Sequence, residues 1–400
     1  MRILLVIDGM QVKSGGPPAV IAGSAHALAQ MGHQVHVLTT AGPGEDAEFR
    51  QTWKRMLDAG VTLESVPEQG LRAMMGLSST QARVDRLVAE HDIVHAHGVW
   101  NPILVMACRA ARKQRKPYFM SVHGVFDRRA MTNQLLKFVK KRVAVPLFGF
   151  RPLLEGAAGI IFGTEVERDE SWLPSPRMRM IFVPNGVDKD TGSSAPTDEE
   201  REWLWSVLPQ TRGWGRVILC RSRIHDGKGI HMLVEAFHRL AADFPDAHLL
   251  IAGLRRDLAY EARLEREIAA GPGRERIAMT TEMTGPKSQF MYQMCSIFAT
   301  PSVAEGFSMS LIEGLANGRA MLITRFCHMP VVEEVGAGVI ADPNSDDITR
   351  ALRALLERSD EELAAMGAAG RALFQERYTW ESVAKQLDGE YAAALAGAAA

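Results

Sequence analysis

The sequence predicts an α/β protein made of two doubly wound, Rossmann-like domains, each organised on a parallel sheet. Three observations carry this expectation. The chain has 400 residues, more than one ordinary hydrophobic core accommodates. Short, continuously apolar runs alternate with stretches of helical periodicity along its whole length, the pattern of open parallel sheets covered on both faces. Finally, the opening plan of strand, loop, amphipathic helix and strand starts again near residue 216.

In the first half, Arg2–Ile7 reads as a strand buried on both faces. The glycine-bearing loop GMQVKSGGPPA follows it. Pro17-Pro18 then opens a helix whose apolar face is Val20, Ala27, Leu28 and Met31, and Gly32 closes it. Further strands are expected at 34–40, 61–66, 92–96, 117–122, 159–162 and 180–183. In the second half, strand 216–220 is followed by a loop and a helix. Its apolar face is Ile230, Leu233, Val234, Phe237, Leu240 and Ala241, at helical spacing. Pro245 ends that pattern, and strands are expected at 248–252, 277–280, 297–299 and 320–324. The segment NGVDKDTGSSAPTDEE, rich in Gly, Ser, Asp and Pro, reads as the linker between the halves. The expected domains are 1–185, completed by a C-terminal helix at 381–395, and 186–380.

Composition removes several classes of function. Lys plus Arg total 46 and Asp plus Glu 47, so no bulk charge draws the chain to nucleic acid. The four cysteines are scattered without a CxxC pair, as expected of buried reduced thiols in a cytoplasmic protein. No apolar run reaches the roughly 18–20 residues of a membrane span. MRILLVIDG reads as a first strand and not as a signal peptide.

The stretch FATPSVAEGFSMSLIEGLANG, Phe298 to Gly318, holds the densest chemistry. A short strand ends at Pro301-Ser302, a turn carries Glu305, and a helix with Ser308 as its expected N-cap carries Glu313. A helix N-terminus with unpaired N–H groups suits a phosphate, and a carboxylate accepts hydrogen bonds from a sugar diol. A capped core helix with two solvated glutamates is the plainer alternative. Arg223 and Lys228, in CRSRIHDGKG between a buried strand and a helix, have the charge and placement to neutralise a diphosphate. Solvated loop cations would read the same way. The glycines at 9, 15 and 16 do not form GxGxxG, and the second strand ends in Thr39-Thr40 with no ribose-binding acid, which disfavours a dinucleotide oxidoreductase. No GxxxxGK[ST] occurs either. His95 and His97 lack acidic or thiol partners at ligand spacing and read as strand-end packing, with no metal expected. His123 follows a buried strand at its C-terminal end, where open α/β sheets bind ligands. A hydrogen-bonded structural histidine is the alternative. Residues 127–151 mix seven cations with apolar positions. That pattern fits peripheral contact with an anionic membrane or acceptor, or an ordinary half-buried helix.

Taken in order, Gly15-Gly16, VHAHG, SVHG, VPNGVD, RIHDGKG and PSVAEGFSMSLIEGLANG resemble the retaining glycosyltransferases of family 4, from residue 1 to about 392. That resemblance implies the GT-B fold, with two Rossmann-like domains facing an interdomain cleft. It implies a nucleotide-diphosphate sugar as co-substrate, retention of anomeric configuration, and neither metal nor other cofactor. Arg223 and Lys228 would then hold the donor diphosphate, Glu313 the ribose hydroxyls and Glu305 the transferred sugar. Gly306, Phe307, Ser308 and Met309 would face the sugar and phosphates, His123 would meet the sugar, and Gly15-Gly16 would admit the diphosphate closely. The acceptor would be a glycan or lipid-linked hydroxyl in polysaccharide or glycolipid biosynthesis, with the enzyme in the cytoplasm or at the inner membrane face. Asp226-Gly227, Thr281, Ser296 and Ser308 depart from the usual pattern, which leaves base and sugar open. The alternatives are a GT-B phosphorylase, a nucleotide-sugar epimerase and a non-catalytic GT-B scaffold.

Overall fold

Strands β1 (Arg2–Gly9), β2 (Gln34–Ala41), β3 (Thr62–Ser65), β4 (Ile93–His97), β5 (Tyr118–Ser121), β6 (Gly159–Phe162) and β7 (Met180–Phe182) form a seven-stranded sheet in the order β3-β2-β1-β4-β5-β6-β7. Every pairing in it is parallel. β8 (Arg216–Arg221), β9 (Ala247–Ala252), β10 (Ile277–Thr280), β11 (Ile297–Thr300), β12 (Ala320–Thr324) and β13 (Gly338–Ala341) form a second parallel sheet, ordered β10-β9-β8-β11-β12-β13. In both sheets the chain winds outward to one side and then returns to wind to the other. The crevices at the carboxyl ends of β1/β4 and β8/β11 are therefore the topological switch points, where such sheets bind ligands. This computed structural model describes residues 1–10, 16–41, 53–67, 79–126, 149–169, 171–281, 289–303, 305 and 307–399.

Near-continuous apolar strands are explained by burial on both faces. In the second sheet Ile218, Cys220, Leu249, Ile251, Ala299 and Leu322 point into one core. Val217, Leu219, Leu250, Phe298, Met321 and Ile323 point into the other. The six apolar positions expected on the helix Ile230–Leu240 and just beyond it are all buried. In the helix Gly16–Gln30, Val20, Ala27 and Leu28 are buried as expected, but Met31 lies past the helix end and is 40% exposed. β13 was not anticipated; it is an edge strand, GVIA, with its two middle residues only half-buried.

The chain divides into two units, Met1–Gly186 with Trp380–Ala400, and Val187–Thr379. The helix Trp380–Ala399 returns to the first unit. There the Trp380 ring occupies space left by Gly23 and Gly186, where a Cβ would come within 2.0 and 2.7 Å of it. Tyr391 is fully buried and shares a hydrogen bond of 2.7 Å with His95 Nδ1. The chain passes between the units inside the segment expected to be the linker, between Gly186 and Val187, and the rest of that segment is anchored within the second unit. Arg371 donates to the Lys189 and Thr191 carbonyls and to Ser193 Oγ, and Thr197 with Glu200 forms a capping box on the next helix. Two of the three acceptors that the segment offers Arg371 are main-chain carbonyls, which no residue type in the segment announces.

Candidate active site

In the second unit, β8 delivers its chain into a tight loop that is shaped by glycine. Asp226–Lys228 forms a single 3-10 turn, and Gly229 follows with φ +64°. A Cβ on Gly229 would sit 2.1 Å from the Pro301 carbonyl oxygen, so only glycine permits this approach. The Val303 N–H donates to the Gly227 carbonyl at 3.1 Å, lacing this loop to the one after β11. Lys228 and Glu305 are thereby brought together as an ion pair, with side-chain exposures of 12% and 11%. Ser302 Oγ donates to the same Glu305 oxygen at 3.0 Å.

Glu313 projects from the helix Met309–Ala316 toward the end of β8. Its Oε2 accepts from Arg221 Nη1 and, at 2.6 Å, from the buried Tyr292 hydroxyl. Burial works against the Arg221 charge, and the Glu313 carboxylate and Tyr292 more than restore it, so the guanidinium is held firmly protonated. Burial likewise pushes the Tyr292 phenol up and keeps it a donor. Arg223 is exposed, and among the described residues its guanidinium enters no ion pair.

The structure sets the two acids in interleaved ion pairs with two cations. Lys228 faces Glu305, and Glu313 faces Arg221, a residue the sequence reading passed over. Its signal was present: Arg221 is a cation at the carboxyl end of a strand, RVILCR, whose four central residues are apolar. Phe307, Ser308 and Met309 lead into the helix. Ser308 occupies the N-cap position but makes no side-chain cap bond. Its hydroxyl instead meets Ser310 Oγ at 3.2 Å. The first-turn N–H groups have no intrahelical acceptor.

In the first unit, Gly16 begins the first helix. His123 stands just past β5 with φ +46°, a strained left-handed conformation for a side-chain-bearing residue. The turn is held by Glu167, whose carboxylate accepts from the Gly124 N–H at 2.9 Å and the Gly163 N–H at 2.7 Å. His97 Nδ1 and His123 Nε2 share a hydrogen bond of 3.1 Å, and the His95 ring is 4.3 Å from that of His97. Both His95 nitrogens are engaged, by Tyr391 and Ser121, which accounts for the HxH pattern as strand-end hydrogen bonding. Burial lowers all three histidines, His95 to about 3 and His123 to about 4, so the cluster is neutral. No group of three or more metal-ligating side chains is gathered among the described residues. Gly15, Gly306 and positions 127–148 of the basic segment lie outside the described residues. In the remainder of that segment Arg151 pairs with Glu155.

Comparison with known families matches residues 210–373 to "Glycosyl transferases group 1" and residues 15–186 to "Glycosyl transferase 4-like domain". The chain is 27% identical to the D-inositol 3-phosphate glycosyltransferase of Segniliparus rotundus, across 96% of this chain and 86% of that one. It is 25% identical to the phosphatidyl-myo-inositol mannosyltransferase of Mycolicibacterium smegmatis, across 97% and 92%. Among solved structures it is similar to Anabaena Alr3699/HepE in complex with UDP, with a TM-score of 0.75, 18% identity and coverage of 98% and 100%. A glycosyltransferase from Rickettsia africae gives a TM-score of 0.76 at 16% identity, with coverage of 98% of both chains. With its two parallel-sheet units and its two family matches spanning nearly the whole sequence, the chain belongs to the group 1, family 4 glycosyltransferases of the GT-B fold.

Proposed function

We propose that this glycosyltransferase moves a sugar from a nucleotide-diphosphate donor to an acceptor hydroxyl with retention of anomeric configuration, without a metal, in the synthesis of a glycolipid or polysaccharide. The observation that carries the reading is the Lys228–Glu305 pair, laced by backbone bonds beside the N-terminus of the helix Met309–Ala316. A diphosphate entering there would exchange the Glu305 carboxylate for phosphate oxygens on Lys228. Glu305 would then be released to accept from hydroxyls of the sugar.

Arg223, exposed and outside any ion pair among the described residues, supplies the second cation, with the helix N–H groups of Phe307, Ser308 and Met309 completing the anion site. Glu313 takes the ribose hydroxyls. His123 and Gly16, with Gly15 and Gly306, are assigned to the sugar and diphosphate on the family resemblance. In the transfer, the bond from the anomeric carbon to the phosphate oxygen breaks as the acceptor oxygen bonds to the same face of that carbon. The acceptor proton passes to the departing phosphate oxygen, so neither glutamate acts as nucleophile. Lys228 and Arg223 meet charge that grows as the diphosphate leaves, and stabilisation of that kind raises kcat.

The inositol-lipid acceptor named for the Mycolicibacterium relative, and the 30% identity over about half of this chain to a phosphatidylinositol monomannoside mannosyltransferase of Corynebacterium glutamicum, support a lipid-linked acceptor. Among the described residues no helix is long and apolar enough to cross a membrane. The proposal places the enzyme in the cytoplasm, touching the inner membrane face peripherally. The UDP-glucose complex of the structural neighbour makes UDP-sugars the first donors to try, followed by GDP- and ADP-sugars. A thermal-shift panel of these donors tests the reading. A donor bound only by the folded chain must raise Tm, and the absence of any shift at millimolar donor would overturn it.

A further inference from the structure

The Glu313 carboxylate is not symmetric. Oε2 accepts from Arg221 Nη1 and from the Tyr292 hydroxyl at 2.6 Å, which takes about both lone-pair directions an oxygen of this kind offers. Arg221 also donates to the Tyr292 hydroxyl at 3.0 Å, and its guanidinium carbon lies 5.3 Å from the centroid of the Tyr292 ring. The three groups therefore brace one another in a closed triangle. Each comes from a different element: the end of β8, the helix Gln289–Met294 and the helix Met309–Ala316. Oε1 accepts no hydrogen bond among the described residues, and the Glu313 side chain keeps 27% exposure.

We propose that Arg221 and Tyr292 are positioning residues for the nucleotide, fixing Glu313 by Oε2 so that Oε1 alone is presented to the ribose diol. The inference rests on the reading of Glu313 as the ribose acceptor and goes beyond it in saying how that carboxylate is aimed. Two physical consequences follow. The rotamer of Glu313 is set before the ligand arrives, so no side-chain ordering is charged against binding. Arg221 also cancels the Glu313 charge locally, so the carboxylate does not oppose the anionic diphosphate bound nearby. A diol held by a single oxygen depends on how that oxygen is aimed, and loosening the triangle should erode the preference for ribose over deoxyribose.

The test uses the full chain with UDP, GDP and ADP, carrying forward whichever binds, together with its 2′-deoxy counterpart. Affinities are measured by calorimetry for wild type, Tyr292→Phe, Arg221→Lys, Arg221→Gln and Glu313→Gln. Tyr292→Phe keeps the ring packing and removes one donor to a charged acceptor. It should weaken the ribonucleotide about 10-fold while narrowing the ribo-to-deoxy ratio toward unity. Arg221→Gln should lose at least as much, and Arg221→Lys should recover part of it by restoring charge without the fork. In turnover assays the loss should fall on the KM for the donor more than on kcat.

A Tyr292→Phe protein that binds ribonucleotide and deoxyribonucleotide with wild-type affinities and ratio overturns the inference, whatever its Tm. A purely structural brace would lower Tm without moving that ratio. If Glu313→Gln binds as wild type does, the ribose role of Glu313 itself is wrong. If wild type binds no nucleotide, the proposed function fails first.

Discussion

Removing Lys228 separates what the Lys228–Glu305 pair does for folding from what it does for chemistry. With side-chain exposures of 12% and 11%, the two groups are nearly withdrawn from water. Lys228→Met would leave the Glu305 carboxylate with only the Ser302 hydroxyl as a described hydrogen-bond donor. Breaking a buried pair from one side costs about 3–5 kcal/mol, and the remaining access to water puts this one near the lower end, at about 3 kcal/mol. For a unit the size of Val187–Thr379, about 2–4 °C of Tm accompanies each kcal/mol, so a fall of about 6–12 °C is expected. Glu305→Gln should cost less, because its amide oxygen can still accept from the Lys228 ammonium, whereas Lys228→Met leaves the carboxylate without a cationic partner. The double variant Lys228→Met/Glu305→Gln should be more stable than the sum of the singles by about 2 kcal/mol. Melts followed by circular dichroism give the cycle. Turnover with the donor identified by thermal shift gives the other readout, and it should be lost in both singles and in the double. Strict additivity, or a Lys228→Met melt within 2 °C of wild type, would refute the buried-pair account. Recovery of turnover in the double variant would refute the role assigned to Lys228 in stabilising the departing diphosphate.

The histidine cluster predicts acid sensitivity. His95 is held near 3 when folded against about 6.5 unfolded, so its contribution to stability is complete above pH 6.5 and is lost as the pH falls toward 3. At pH 5 the loss from His95 alone is about 2 kcal/mol, and His123 adds in the same direction. Melts from pH 7 to 5 should show a steeper decline for wild type than for His95→Gln; parallel slopes would contradict this. Gly229→Ala forces a Cβ to 2.1 Å from the Pro301 carbonyl at φ +64°, with a backbone cost of more than about 1 kcal/mol before the clash is counted. A drop in Tm together with loss of donor binding is expected, and a melt unchanged within 1 °C would argue against the tight loop. All four cysteines are free and buried, with thiols pushed up to about 12, so a thiol reagent at pH 8 should label none in the native protein and four in denaturant. Rapid native labelling of any one would show that its surroundings open.

How much of this was legible in the sequence differs from element to element. β1, with its run of buried residues from Ile3 to Ile7, and the helix Ile230–Leu240, with its single apolar face, declare themselves because burial imposes a period on the chain. Glu305 and Glu313 could be found because a strand, a turn and a helix N-terminus follow one another locally. β13, no shorter than β6 or β10, was missed at the sheet edge, where its two middle residues are only half-buried. Met31 was assigned to a buried face because periodicity does not mark where a helix stops. The chain does cross between the units within the polar run 185–200, but the anchoring of the rest of that run depends on Arg371, about 180 residues further on from Thr191.

By itself, then, the sequence determined the class of fold, the alternation of its elements, and the residue types gathered at the ends of β8 and β11. Each of these follows from interactions within a few residues, where spacing is geometry. Which charges face one another was decided only by tertiary structure. Lys228 meets Glu305 across 77 positions and Arg221 meets Glu313 across 92, while His95 is held by Tyr391 across 296. Those pairings depend on strand order and loop closure. No local pattern records them, because the Coulomb and hydrogen-bond terms that select them act only after the sheets have brought distant ends together.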